Sequence, residues 1–157
     1  MKYNGIFFDI GWTLMRPRRD WFLSDFLYAM LPGGTSEDIF DQAFSSAMYI
    51  LDENHKMDTL EQEETQFFLF YQNVFAQLPH LGLGDEAARA VAHDKVFNYR
   101  NYIFFEDALP VLTRLKQKFR LGIISDTWPS ATEFLKAAGL FDLFDSITFS
   151  CQLGIFK

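Results

Sequence analysis

Cysteine is nearly absent from this chain of 157 residues. Cys151 stands alone, so no intramolecular disulfide can form, and a reducing, cytoplasmic setting is expected. Basic charge is scarce as well. Fourteen Lys and Arg face 21 Asp and Glu, a formal net charge of −7. A general nucleic-acid binder needs the basic face that this balance withholds; small anionic substrates need only one local cation. No apolar run is long enough to span a membrane. The N-terminal run is short, contains Asp9 and lacks a small-residue cleavage site, so it does not read as a signal peptide. His55, His80 and His93 lack metal-ligand spacing and read as surface or packing residues.

What is present is an aromatic, core-forming sequence. Apolar residues make up 49% and Phe occurs 19 times, a globular composition. The length fits one domain, or a small core carrying an insertion. Residues 5–9 read as a buried strand that stops at Asp9. Helical spacing follows over 20–31, 36–51 (capped by Thr35 or Ser36), 58–78 and 85–99, so 15–98 is expected to be an all-helical insert. A helix over 108–118, a buried strand over 120–125, a helix over 129–138 and a short strand over 146–149 complete the chain. Strands alternating with helices predict an α/β fold with a parallel sheet. The run 66–75 (QFFLFYQNVF) reads as a packed helix face rather than an aromatic binding box. Arg16, Arg18 and Arg19 read as a solvated linker, with an anion-facing role as the alternative.

Three segments carry chemistry. Asp9-Ile10-Gly11-Trp12-Thr13 puts a carboxylate at the carboxyl end of a strand, where open α/β sheets bind ligands. Ser125 closes the run Leu121-Gly122-Ile123-Ile124. Ser150-Cys151-Gln152-Leu153-Gly154-Ile155-Phe156-Lys157 ends on a cation. Phosphoryl transfer to a carboxylate needs an exposed nucleophile, with donors and cations to meet charge on the phosphoryl oxygens. Asp9 can supply the first. Ser125, the N–H groups of the helix expected after it, and Lys157 can supply the second. Asp126 can cap that helix. Trp12 and Trp128 flank the first two segments as site walls or as core residues.

Taken in this order, the three segments resemble the haloacid dehalogenase-like (HAD) hydrolase superfamily. The resemblance covers the whole chain. It implies a Rossmann-like parallel core, residues 1–14 and 99–157, with a helical cap at 15–98. It makes Asp9 the nucleophile, Thr13 the residue that orients the first loop, and Lys157 the catalytic cation. Phosphate binding falls to Ser125, Asp126 and Lys157. Mg²⁺ falls to Asp9 and the carbonyl of Gly11. The implied substrate is a small phosphorylated metabolite, hydrolysed through an aspartyl-phosphate. Two departures stand out. Gly11 occupies the place where many HAD phosphatases carry a second acid, worth roughly 10²–10⁴-fold as a general acid–base. The acids of the fourth motif, which complete the Mg²⁺ site, do not follow Lys157, so the chain reads as truncated after the third motif. The strand expected beside the first is then missing too. Ile6-Phe7-Phe8 would form an open apolar edge of the kind that pairs with another chain, and a homodimer through it is the alternative to truncation. Two other functions stay open. One is a 2-haloacid dehalogenase-like activity, which needs a cap cation although residues 21–55 hold no Arg or Lys. The other is a non-catalytic HAD-like binding module.

Overall fold

The computed structural model describes residues 3–157. Strand β1 (Gly5–Phe8) lies parallel to β4 (Arg120–Ser125), and β4 lies parallel to β5 (Ser146–Phe149). The sheet order is β1-β4-β5, with Phe8 in register with Ile123 and Ile123 with Ile147. Among the described residues β1 pairs on one side only. The expected α/β core, with a large helical insertion after the first strand, is therefore present.

Parallel strands are separated by helical crossovers. β4 follows α5 (Ala108–Lys116), and β5 follows α6 (Ala131–Ala137). Leu121, Ile123, Leu112 and Leu135 are fully buried and anchor these layers. Asp145 locks the start of β5 to β4: its N–H donates to Leu121 O at 2.7 Å, and its Oδ2 accepts from Leu121 N–H at 2.9 Å. Gly122 is a close-approach position. A Cβ there would lie 2.5 Å from Cε1 of the Phe7 ring.

The chain forms two compact units. One comprises the stretch up to Pro17, then Lys56–Asp58 and Tyr102–Lys157; the other is Arg18–His55 with Thr59–Asn101. The second unit is helical: α1 (Asp25–Ala29), α2 (Ile39–Glu53), α3 (Leu60–Gln77) and α4 (Asp85–Phe97). Helix α3 presents Phe67, Phe70, Tyr71, Val74 and Phe75 to its core, all buried. The aromatic run is thus a packing face, and each such side chain stabilises the unit by roughly 1.5–3 kcal/mol as an upper estimate. Its start is fixed by a capping box: the Thr59 hydroxyl accepts from Gln62 N–H, and the Gln62 side chain accepts from Thr59 N–H.

Several local expectations need correction. The helix read over 20–31 is only α1. Asp20 Oδ1 accepts from Phe22 N–H in a tight turn, and Ser24 takes the cap position by accepting from Leu27 N–H at 3.2 Å. Neither Thr35 nor Ser36 caps α2. The Thr35 hydroxyl donates back to Pro32 O, and the cap position is Asp38. The stretch 15–98 is not free of strands. Short β2 (Met15–Pro17) pairs antiparallel with β3 (Tyr102–Phe104). Three-residue strands are too short for alternation to register, and Pro17 masks the first of them. The histidines need no correction: His55 is buried as a packing residue, and His93 is at the surface, 2.9 Å from Glu64.

Candidate active site

Asp9 follows the last residue of β1, so its carboxylate stands at the carboxyl end of the sheet. The next turn is tight. Ile10 O accepts from the N–H groups of Thr13, Leu14 and Met15, and Trp12 N–H donates to Met15 O at 2.7 Å. This folds the chain back into β2 and buries Ile10 and Leu14. Asp9 is left part-exposed at 39% of its side chain.

Ser125 ends β4, the strand beside β1, and is 3% exposed. Its hydroxyl donates to Asp9 Oδ1 at 2.7 Å. Ile10 N–H donates to the same oxygen at 2.7 Å and lies 3.4 Å from Ser125 Oγ. Strand pairing brings the two ends together but does not place these residues side by side: Phe8 sits beside Ile123, β4 runs on two residues further to Ser125, and the Ser125 hydroxyl reaches back to the carboxylate.

Lys157 arrives from the third strand. β5 runs into a single helical turn, α7 (Ser150–Leu153), which ends at Gly154 with φ +71°. Glycine suits the left-handed backbone there, and a Cβ would make a tight contact with Lys56 Cβ at 3.1 Å. The chain then turns toward β1. Lys157 N–H donates to Asp126 Oδ1 at 2.8 Å, and Lys157 Nζ donates to Asp9 Oδ2 at 2.5 Å. Asp9 is thus held by three donors on two oxygens. Burial works against its charge, but the Lys157 ammonium, the Ser125 hydroxyl and Ile10 N–H outweigh it. The carboxyl sits below its ordinary value and is ionised at neutral pH. Beside this centre lies a cavity of about 80 Å³, lined by Ser125, Lys157, Ile124, Leu153, Ile155 and Phe156 among others.

The structure brings together Asp9, Ser125 and Lys157. Thr13 is exposed and gives its N–H to Ile10 O. Asp126 does not cap the following helix: α6 begins at Ala131, with Ser130 at its cap position. For the same reason helical N–H groups do not start just after Ser125. Thr127 N–H, in the intervening loop, is already bonded to Ser150 Oγ at 3.0 Å. The link from Asp126 to the backbone of Lys157 had no signal in the sequence, because it joins an acid to an N–H 31 positions away. Trp12 is not a core residue; it is 66% exposed. Arg19 faces Asp25 and Glu37 on its own unit, at 3.0 and 2.6 Å.

The donor set does not suit Mg²⁺, which takes six oxygens in near-octahedral geometry. The described residues offer the Asp9 carboxylate, both oxygens of which already accept hydrogen bonds, and the Gly11 carbonyl. Among them no group of three His, Cys, Asp or Glu is placed to hold an ion.

No family model matches the chain, and no curated protein matches it. Solved structures do. The L-2-haloacid dehalogenase of Xanthobacter autotrophicus aligns with a TM-score of 0.62 at 20% identity, over 99% of this chain and 60% of that one. A HAD-hydrolase of Bacillus subtilis, YfnB, solved with magnesium, aligns at 0.55 and 20% identity, over 100% and 68%. A 2-haloacid dehalogenase of Pseudomonas syringae pv. Tomato aligns at 0.54 and 17% identity, over 99% and 67%. The chain therefore spans about 60–68% of the length of these proteins. The fold is that of the HAD-superfamily hydrolases with a helical cap region. At these identities the likeness is one of fold.

Proposed function

We propose that the protein is a HAD-type hydrolase that uses Asp9 as a nucleophile on a small phosphate ester. The observation that carries this reading is the convergence on one carboxylate of Ser125 from β4 and Lys157 from beyond β5. A cation and a hydroxyl beside an ionised acid form a place for an anion next to a nucleophile. In this reading Asp9 Oδ2 attacks phosphorus, since Oδ1 is held by two donors and Oδ2 by one; the ester P–O bond breaks, and the leaving oxygen departs as the anion and takes its proton from water, because Gly11 supplies none. Lys157 and Ser125 meet the phosphoryl oxygens, Asp126 steadies the backbone that carries Lys157, and Thr13 shapes the loop. Water then attacks phosphorus in the aspartyl-phosphate, the bond from phosphorus to Asp9 Oδ2 breaks, and phosphate leaves with the Asp9 carboxylate restored. Mg²⁺ use is what the resemblance implies, so the assay is run with and without it.

The test is phosphate release from acetyl phosphate and aryl phosphates by the protein and by Asp9→Asn. Release lost in the variant supports the reading; release unchanged by it sinks the reading. Gly11 favours a second reading, a 2-haloacid dehalogenase-like hydrolase, because that chemistry tolerates a non-acid at position 11. Halide release from 2-chloropropionate, with no phosphate release, would establish it instead. A folded protein that does neither would be a binding module of this fold. Pairing of two copies through the β1 edge belongs to the same proposal, and light scattering of the purified protein reads it directly.

A further inference from the structure

Among the described residues, Trp12 is the one non-glycine with φ in the left-handed region, at +58°. An L-residue there costs roughly 1–2 kcal/mol against glycine. Glycine is available one position earlier, at Gly11, where φ is not positive. The chain thus puts its bulkiest side chain where glycine would fit, directly after a glycine whose φ is not positive. Core packing does not offset the strain, because the indole is 66% exposed. The backbone is held in place regardless, through Trp12 N–H to Met15 O and the three bonds to Ile10 O. This exposed ring lies three residues past Asp9. The cavity beside Ser125 and Lys157 is also apolar, with Ile124, Ile155 and Phe156 at 43%, 64% and 49% exposure.

We propose that Trp12 is a specificity-determining residue, whose indole receives a planar apolar group on the substrate. Resting on the hydrolase reading, this makes the substrate class aryl or similarly planar phosphate esters. An indole face stacks on such a group and gives nothing to a small acyl or alkyl phosphate.

Two measurements test it. In the first, kcat/KM is compared for 2-naphthyl phosphate and acetyl phosphate in the wild type, Trp12→Gly and Trp12→Phe. Trp12→Gly is expected to lose about tenfold on the naphthyl ester through KM, a factor of about 1.4 kcal/mol. It should change little on acetyl phosphate, and Trp12→Phe should keep most of the preference. Equal losses on both substrates, or none, would overturn the proposal. In the second, calorimetry compares phenylphosphonate with methylphosphonate. The wild type should bind the phenyl compound about tenfold more tightly, and Trp12→Gly should bind the two alike. If the wild type prefers neither, or the variant keeps the preference, the proposal falls. A wild type that hydrolyses nothing refutes the hydrolase reading alone, because the phosphonate comparison still decides the role of Trp12. Trp12→Gly should also melt no lower than the wild type; a lower melting point would mark Trp12 as a structural residue.

Discussion

Lys157→Met removes the cation that sits 2.5 Å from Asp9 Oδ2. The contribution of that cation to stability is small. Two unit charges about 4 Å apart attract by about 4 kcal/mol at an effective dielectric of 20 and about 1 kcal/mol in water. Both side chains are open to solvent, at 43% and 39% exposure, so the lower figure applies after screening. The expected loss at neutral pH is about 1 kcal/mol, or about 2–4 °C in melting temperature for a chain of this size. The effect on the Asp9 carboxyl is larger in kind. Burial already opposes its charge, and without Lys157 only the Ser125 hydroxyl and Ile10 N–H resist it. Its pKa must rise in the variant.

The direction of the pH effect follows. In the wild type the folded pKa of Asp9 is depressed. Its share of stability is therefore complete above the unfolded value of about 3.9 and is lost as pH falls through the folded value. The difference between wild type and Lys157→Met should be full at pH 7, shrink below about pH 4 and vanish in stronger acid. Added salt should shrink it too, since the Debye length is about 10 Å at 0.1 M. Carbon-13 titration of the Asp9 carboxyl, with urea unfolding at pH 7 and pH 3, measures both quantities without calling on activity. An Asp9 pKa unchanged by the substitution, or an equal stability loss at both pH values, would refute the reasoning.

Ser125→Ala should raise the Asp9 pKa less than Lys157→Met does, because it removes one uncharged donor; the same titration ranks them. In the helical unit Lys95 is fully buried, its Nζ donates to Trp21 O at 2.6 Å, and burial holds its pKa down to about 8 despite the charges of Glu63, Asp20 and Asp94. Lys95→Met should destabilise by about 3 kcal/mol by leaving buried Glu63 without that charge, and Lys95→Met with Glu63→Leu should recover most of it; urea unfolding of both variants checks this. Since the folded pKa of Lys95 is lowered, wild-type stability should rise between about pH 8 and pH 10.4, and Lys95→Met should abolish that rise. Thr59→Ala should cost about 1 kcal/mol by opening the capping box of α3, visible as a lower melting temperature. Gly122→Ala should cost about 1 kcal/mol or less. The atoms in its way are an exposed Phe7 ring and the Ser146 hydroxyl, and Phe7→Ala should relieve the cost.

The sequence was most legible where one physical rule acts over a short stretch. β4 and β5 were marked by apolar runs between helical segments, and they stand where that pattern put them. Helix α3 was readable from its apolar face, although its start was set by the Thr59 and Gln62 pair rather than by hydrophobic spacing. β2 and β3 were illegible because neither has a pattern of its own; each exists only as the partner of the other, 85 or more positions apart. The attachment of Met57, whose N–H donates to Cys151 O at 3.0 Å within the sheet-bearing unit, was hidden for the same reason.

The candidate site shows a further division. Residue types and chain order pointed to Asp9, Ser125 and Lys157, and the pairing of β1 with β4 brings the first two to neighbouring strand ends. Register does not reach Lys157, which lies eight residues past the end of β5. Its delivery depends on a one-turn helix, a left-handed glycine and an acid just past the middle strand that grips its backbone. Asp126→Ala therefore tests whether that delivery matters. It leaves Asp9, Ser125 and the Lys157 side chain chemically intact, yet it should raise the Asp9 pKa toward that of Lys157→Met, because a free backbone samples positions where Nζ no longer reaches Oδ2. Asp126→Asn keeps an acceptor for Lys157 N–H and should restore the wild-type value. An Asp9 titration identical in all three proteins would show that Lys157 finds Asp9 by charge alone and that the grip on its backbone is incidental.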